Sequence, residues 1–455
     1  MKIEGGLPFM RHAAICLVMI LCIIFSPTPA PAADGVLDPI FHPNDGFLLW
    51  DGGNGWDRGR AIALQADEKL LVTGYQSNSV DNDVPVVRFT ADGGIDTNFG
   101  NNGVFVFDGQ HGSDIGYAVA VDGRGRIWVA GVSNNGSDDD LFVLRLTGDG
   151  TLDDDFADGG IFRYDKDGGN EGAVDLVLQP DGKALVTGQR HNGHDYDLLL
   201  LRLTADGMLD DGFAGGGVAV YDHGNGNDGG LRLALQADLK IVVAGHAEGN
   251  ANYDLLIARF NSDGTLDDDF GTGGVGIYDG GDDDRGYGLG IQADGKLLVT
   301  GASANDGDED IPLIRFNDDG SLDTAFGQDG VVIFDNGGKD EGYDLHVQAD
   351  GRIVVAGFSA SANDWDLVVL KYTSDGTPDA TFGDNGVYRY DGGGADWGYG
   401  VAFQVDNKLL VVGQSHNGSD DDIAIIRLTN SVVQAPVNLE GGGGGCWITS
   451  LAGQW

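Results

Sequence analysis

Residues 152–204 read LDDDFADGGIFRYDKDGGNEGAVDLVLQPDGKALVTGQRHNGHDYDLLLLRLT. The apolar residues fall into four short runs: GIFRYD (Gly160–Asp165), VDLVLQ (Val174–Gln179), KALVTG (Lys183–Gly188) and DLLLLRLT (Asp197–Thr204). They are rich in Val, Leu, Ile and aromatics and are separated by Gly, Asp and Asn. Runs of that length and composition are strands, and no helical period competes with them. PDG at Pro180–Gly182 closes a hairpin and ADG after Thr204 makes another turn, because Asp-Gly accepts the positive φ a tight turn demands.

The unit recurs from Leu37, Ile95, Leu152, Leu209, Leu266, Leu322 and Pro378, about 57 residues apart. Seven copies of four antiparallel strands predict an all-β, seven-bladed β-propeller over residues 33–430. Radial closure leaves only short, protected sheet edges. GYAVAV (Gly116–Val121) is richest in small residues and is expected innermost, where blades crowd; GVFVFD (Gly103–Asp108) is then outermost. On this phasing the last copy ends at IAIIRLT (Ile423–Thr429) without an outer strand, and FLLWD (Phe47–Asp51) has no blade of its own. The early strand should therefore complete the last blade.

LDTAFGQDGVVIFD followed by VQADGRIVVAGFSASANDWDLVVLKYTSDGTPDATFG (Val347–Gly383) resembles the delta-60 repeat family of exported bacterial proteins. The joint recurrence of QxDGK, VxG and DGxLDxxFG carries the resemblance from Leu37 to Asn430. It implies a propeller-like, secreted or surface protein and no established reaction.

The chain has 72 acidic against 26 basic residues, a formal charge of −46, which repels nucleic acid and anionic membranes. Basic Lys2 and Arg11, an apolar run from Ala13 to Phe25 and Ala30-Pro31-Ala32 make residues 1–32 read as a secretory signal peptide. The expected location is thus secreted, periplasmic or cell-surface in a bacterium. Cys16 and Cys22 fall in that leader, which leaves Cys446 alone and rules out an internal disulfide framework. Residues 431–455 hold a linker, a five-glycine run and Cys446; they read either as an anchoring or processing tail or as a frayed end.

Alignment of the copies sorts the aspartates. Those of the Asp-Gly turns (Asp92, Asp149, Asp206, Asp263, Asp319, Asp375) are explained by turn chemistry. Those of LDxxF (Asp96, Asp153, Asp210, Asp267, Asp323, Asp379) recur with Arg88, Arg145, Arg202, Arg259, Arg315 and Lys371, which predicts one structural ion pair per blade. A third class stands in pairs before the third strand: Asp81 and Asp83, Asp138 and Asp140, Asp195 and Asp197, Asp308 and Asp310, Asp364 and Asp366, Asp420 and Asp422. Residues i and i+2 of an extended segment point the same way, so each pair is either the start of a calcium site or a loop cap. Asp165, Asp167 and Asn170 in DKDGGN form a further divalent-cation candidate beside the reading as a solvated Gly-rich connection. No organic cofactor is indicated.

Most blades carry Ala or Gly on one face of the inner strand, where this chain places Asp175, Arg232, Asp344 and His346. Charges there need partners or a wet channel, so these residues define either an axial ligand pocket or an Asp175–Arg232 bridge between blades. No nucleophile elbow, zinc-spaced His/Cys set or phosphate loop is found, and the seven Trp do not recur as one position per blade. The reading is a monomeric, non-enzymatic binding or adhesion module for an extracellular protein or carbohydrate, with calcium as stabiliser. The alternative is an extracellular hydrolase or lyase acting on polysaccharide at the axial pocket.

Overall fold

The computed structural model describes residues 34–431, apart from Asn54, Gln110, Asp167, Asn225, Asn250, Ala251, Asp306, Ala362 and Asn363. The expected signal peptide, Cys446 and Asp167 therefore lie outside the described residues.

Seven four-stranded antiparallel sheets stand in sequence, each in simple up-and-down order. Blade 1 is Asp57–Leu64, Leu70–Ser77, Asn82–Phe89 and Val104–Phe107; blade 2 is Asp114–Val121, Ile127–Asn134, Asp139–Leu146 and Ile161–Tyr164. The pattern repeats with inner strands Glu171–Leu178 (blade 3), Asp228–Leu235 (blade 4), Asp284–Ile291 (blade 5), Asp340–Val347 (blade 6) and Asp396–Phe403 (blade 7). The second and third strands are buried along nearly their whole length because they are sandwiched between neighbouring blades. Their side chains form seven apolar clusters, most of them shared by two successive blades.

The expected clasp is present. Phe47–Trp50 pairs antiparallel with Asp421–Leu428 as the outer strand of blade 7, in the register Phe47 to Ile426 and Trp50 to Ile423. It reaches further than the strand alone: Asp38 N donates to Arg427 O at 2.8 Å, Leu37 bridges Leu428, and Phe41 is fully buried. The inner strands begin earlier than the apolar runs suggest, at Glu171 rather than Val174 in blade 3, because their first residues are Gly and acids that the hydrophobic pattern misses.

Every inner strand slips register once, between Ala173 and Asp175 in blade 3. The slip drives the inner strand's carbonyl against the glycine of VxG. A Cβ on Gly188 would lie 1.8 Å from Gly172 O, and one on Gly301 1.8 Å from Arg285 O, so only glycine fits.

The ion pair predicted for each blade is found as a larger staple. Arg259 Nε meets Asp267 Oδ2 at 2.6 Å, its guanidinium lies 4.5 Å over the Phe270 ring, and its NH1 donates to Asp318 O of the next blade at 2.5 Å. Lys240 adds a second cation to Asp267 at 2.8 Å. Arg88–Asp96, Arg145–Asp153, Arg202–Asp210, Arg315–Asp323 and Arg427–Asp38 repeat it at 2.7–2.9 Å, whereas Lys371, with a point charge in place of a fork, stands 3.8 Å from Asp379. Breaking a buried pair strands a charge, at a cost of about 3–5 kcal/mol. Arg259→Met should lower the urea midpoint accordingly, whereas the same change at exposed Arg124 should leave it unmoved.

Candidate functional site

The register slip turns the next residues of the inner strand toward the axis, and there the structure brings together all four axial candidates. They line one narrow cavity of about 110 Å³ together with Arg60. Arg232 donates to Tyr287 O at 3.1 Å and Tyr343 O at 3.0 Å, and stands 3.3 Å from Asp344 and 3.9 Å from Asp175. Asp175 accepts from Leu176 N and, across the blade boundary, from Leu233 N at 2.8 Å. Asp344 does the same with Leu345 N and Val401 N, the latter also at 2.8 Å. The network thus ties blades 3 to 4 and 6 to 7, with Arg232 spanning blades 4, 5 and 6. Burial pushes the His346 imidazole down to about 4, and its ring lies 4.7 Å from Phe403.

The paired aspartates before the third strands converge on an asparagine. Asn135 Nδ2 donates to Asp138 at 2.5 Å and Asp140 at 3.1 Å; Asn192 serves Asp195 and Asp197, and Asn417 serves Asp420 and Asp422. Asp364 accepts from the Ser361 hydroxyl at 2.6 Å. Asn170 joins loops, accepting from Asp139 N and donating to Tyr196 OH. In the pairs bridged by asparagine, the first aspartate is held in its own turn.

The second aspartate has other neighbours, which sequence reasoning missed. It meets the Asp that ends the outer strand and the acid that opens the next inner strand. Asp83, Asp108 and Asp114 offer oxygens within 4.8 Å of one another, as do Asp140, Asp165 and Glu171; Asp310, Asp335 and Asp340; and Asp422, Asp51 and Asp57. Such clusters can hold a metal ion. Asp57, Asp114 and Asp340 are fully buried. Burial, with neighbouring carboxylates adding to it, pushes Asp57 up to about 6 and Glu171 up to about 7. The signal was in the sequence: an aromatic residue followed by Asp at the outer strand's end (YD, FD or, at Trp50-Asp51, WD) and D or E at the start of the next inner strand recur in every copy.

A second missed feature breaks the repeat. Positions two and four of the inner strand share one side, and blades 5, 6, 7 and 1 place there Arg285 and Tyr287, Glu341 and Tyr343, Trp397 and Tyr399, Arg58 and Arg60. Blades 3 and 4 have Gly172, Val174, Gly229 and Leu231 instead, and blade 2 has Ile115 and Tyr117, the latter 5.8 Å from the Arg60 guanidinium. The aromatic rings form one array: Tyr287 stacks on Tyr343 at 5.4 Å, Tyr343 on Trp397 at 6.4 Å, and Trp397 on Phe358 at 4.7 Å. Trp365 meets Trp397 edge-on at 6.0 Å, and Arg58 lies 5.7 Å from both Trp56 and Trp397. Trp56 and Trp365 are 58% and 41% exposed. The indole Nε1 of Trp397 and the Nε atoms of Arg58 and Arg60 are buried with no acceptor among the described residues.

Fold and site define a propeller-repeat protein with junctional acid clusters and one aromatic sector. The family model described as "Domain of unknown function (DUF5122) beta-propeller" matches residues 65–99, 125–156, 179–213, 236–270, 292–326 and 348–382. Each segment ends at the phenylalanine of one staple. The seventh staple is divided between the chain ends, with Arg427 at one and Asp38 and Phe41 at the other. No curated protein matches the sequence. Among solved structures, Sqt1 of Chaetomium thermophilum is 12% identical, with 84% of this chain and 97% of that one covered and a TM-score of 0.47. The polysaccharide lyase Uly1 is 14% identical, with 87% and 97% covered and a TM-score of 0.47. A Dyadobacter fermentans protein of unknown function is 12% identical, with 88% and 99% covered and a TM-score of 0.41.

Proposed function

We propose that the protein is an exported binding module of the delta-60 repeat type that holds a carbohydrate on the aromatic sector of blades 5, 6, 7 and 1. The observation that carries this reading is the break in the repeat. A structural role at positions two and four would recur from blade to blade, as the staples do, yet the stacked rings and arginines gather in blades 5, 6, 7 and 1, with Tyr117 of blade 2 at their margin. Flat aromatic faces suit the C–H faces of a sugar ring, and the exposed Trp56 and Trp365 give a ligand its approach. Residues 1–32 support export, and calcium is the stabilising cation of the reading.

Tryptophan fluorescence titrated with a panel of neutral and uronate oligosaccharides tests it. Saturable binding by one class is expected, weakened at least about tenfold by Trp397→Ala and by Tyr343→Ala, with the melting temperature as a check on folding. Binding that survives both changes, or no binding across the panel, overturns the reading. The enzyme alternative needs Asp175, Arg232 and Asp344 free to engage a polysaccharide, whereas both carboxylates already accept backbone N–H bonds from two blades.

A further inference from the structure

We propose that the carboxylate clusters at four of the seven blade junctions are calcium sites that clamp one blade to the next. The junction of blades 2 and 3 shows the chemistry most fully. Asp140 comes from the start of the third strand of blade 2, Asp165 from the end of its outer strand, and Glu171 from the first residue of the inner strand of blade 3. Their oxygens lie within 4.8 Å of one another. Calcium takes oxygen ligands at about 2.3–2.6 Å, so two oxygens on one ion stand at most about 5 Å apart, as these do. Three carboxylates supply three to six of the six to eight oxygens calcium accepts, and water completes the shell.

An acidic cluster alone is common, and here the independent observation is the orphaned oxygens. Glu171 is 1% exposed and Asp140 6% exposed. Glu171 Oε2 accepts from Lys166 N at 3.1 Å and Asp140 Oδ2 from Asn135 at 3.1 Å, but Glu171 Oε1 and Asp140 Oδ1 are buried without any hydrogen-bond donor among the described residues. A buried carboxylate oxygen lacking a donor costs free energy unless a cation meets it. Asp83 Oδ1 at the junction of blades 1 and 2 and Asp422 Oδ1 at that of blades 7 and 1 are orphaned in the same way. Asparagine turns orient the second aspartate while leaving this oxygen bare, which gives the Asn-x-x-Asp-x-Asp loops a purpose beyond turn geometry.

One junction supplies an internal comparison. In blade 3 the equivalent residues are Asp197, Asp222 and Asp228. There Arg190 stands 3.4 Å from Asp197, and Asp228 accepts from His223 N at 2.6 Å. A guanidinium faces one carboxylate at that junction, and no tight triad forms there, nor at the junctions of blades 4 and 5 or 6 and 7, among the described residues. The inference is independent of any ligand on the aromatic sector, so either can fail alone.

Calorimetric titration of the chelator-treated, full-length protein with calcium, and separately with magnesium, is the test. About four calcium ions per chain are expected to bind, raising the melting temperature by several degrees, because a ligand of the folded state stabilises it. Magnesium should do much less, since it demands a tighter octahedral shell. Asp140→Asn and Glu171→Gln should each remove one calcium from the stoichiometry, whereas Asp138→Asn should keep it. In chelator these isosteric, neutral variants should melt no lower than the parent, which separates loss of a site from loss of the fold. Absence of saturable calcium binding at millimolar concentration, an equal response to magnesium, or an unchanged stoichiometry in both cluster variants overturns the proposal.

Discussion

Deletion of residues 34–50 is expected to open the ring. The segment supplies the outer strand of blade 7, the carboxylate of Asp38 and the ring of Phe41. Asp38 holds Arg427 at 2.9 Å and Lys408 at 3.0 Å; its loss strands Arg427, at 4% exposure, while Lys408 keeps Asp406 at 3.2 Å. Losing one partner of a buried pair costs about 3–5 kcal/mol, and removal of a buried phenylalanine ring about 3–5 kcal/mol more. The strand Asp421–Leu428, buried throughout, also becomes an open edge ready to pair with another chain. The truncated protein should melt at least about 10 °C lower, should lose amide-exchange protection in Asp421–Leu428 first, and should aggregate. Unchanged protection there would mean that blade 7 stands without its clasp.

Metal-free protein should be more stable at pH 5 than at pH 7.5, the reverse of what carboxylate-rich proteins usually show. Burial pushes Asp57, Asp228, Asp284 and Asp396 up to about 6 and Glu171 up to about 7. A carboxyl raised in the folded state binds protons more tightly there than in the unfolded chain, whose value is near 4. Between roughly pH 4 and 7 the folded protein therefore holds more protons, and stability falls as pH rises through that window. Each unit is worth about 1.4 kcal/mol, so five such groups together shift stability by several kcal/mol. The staples run the other way but outside the window: the Lys183 ammonium holds Asp210 low, so its contribution is lost only as the carboxylate protonates in stronger acid. Thermal melts in chelator at pH 5, 6 and 7.5 should give their highest midpoint at pH 5, and saturating calcium should lessen the trend by taking the protons' place at Asp57 and Glu171, alone of the five. A midpoint that climbs from pH 5 to 7.5 in chelator would show that the clusters are not strained by their charge.

The fold was legible in the sequence because each of its determinants is local. Alternating apolar runs, Asp-Gly turns and the phase of the repeat lie within a single copy, and even the Arg259–Asp267 pair spans eight residues. The clasp followed from counting strands. The acid clusters were half legible: Asp140 and Asp165 were both named, but their third partner Glu171 opens the next blade, and only the closure of one sheet against its neighbour brings it in. The aromatic sector escaped for a different reason. Its residues come from alternate positions in four consecutive blades, so a search for one tryptophan per blade passes over them. The axial charges were found because they depart from a repeat, although their satisfaction by backbone N–H groups of the neighbouring blade is a fact of packing alone.

The staples hand each blade to the next without a seam. Arg145 reaches Ala205 O, Arg202 reaches Ser262 O, and Arg427 at the far end returns to Ala91 O in blade 1. Asp34 and Ser431 meet at 2.8 Å. A circular permutant that joins residue 431 to residue 34 and is cut instead at the exposed Gly193 keeps every staple and every junction cluster. The order in which a ribosome meets the blades is thus one of several equivalent frames of a closed ring, and the exposed Gly193 loop, whose aspartates belong to none of the four clusters, is a place where a guest domain can be spliced in without unfastening it.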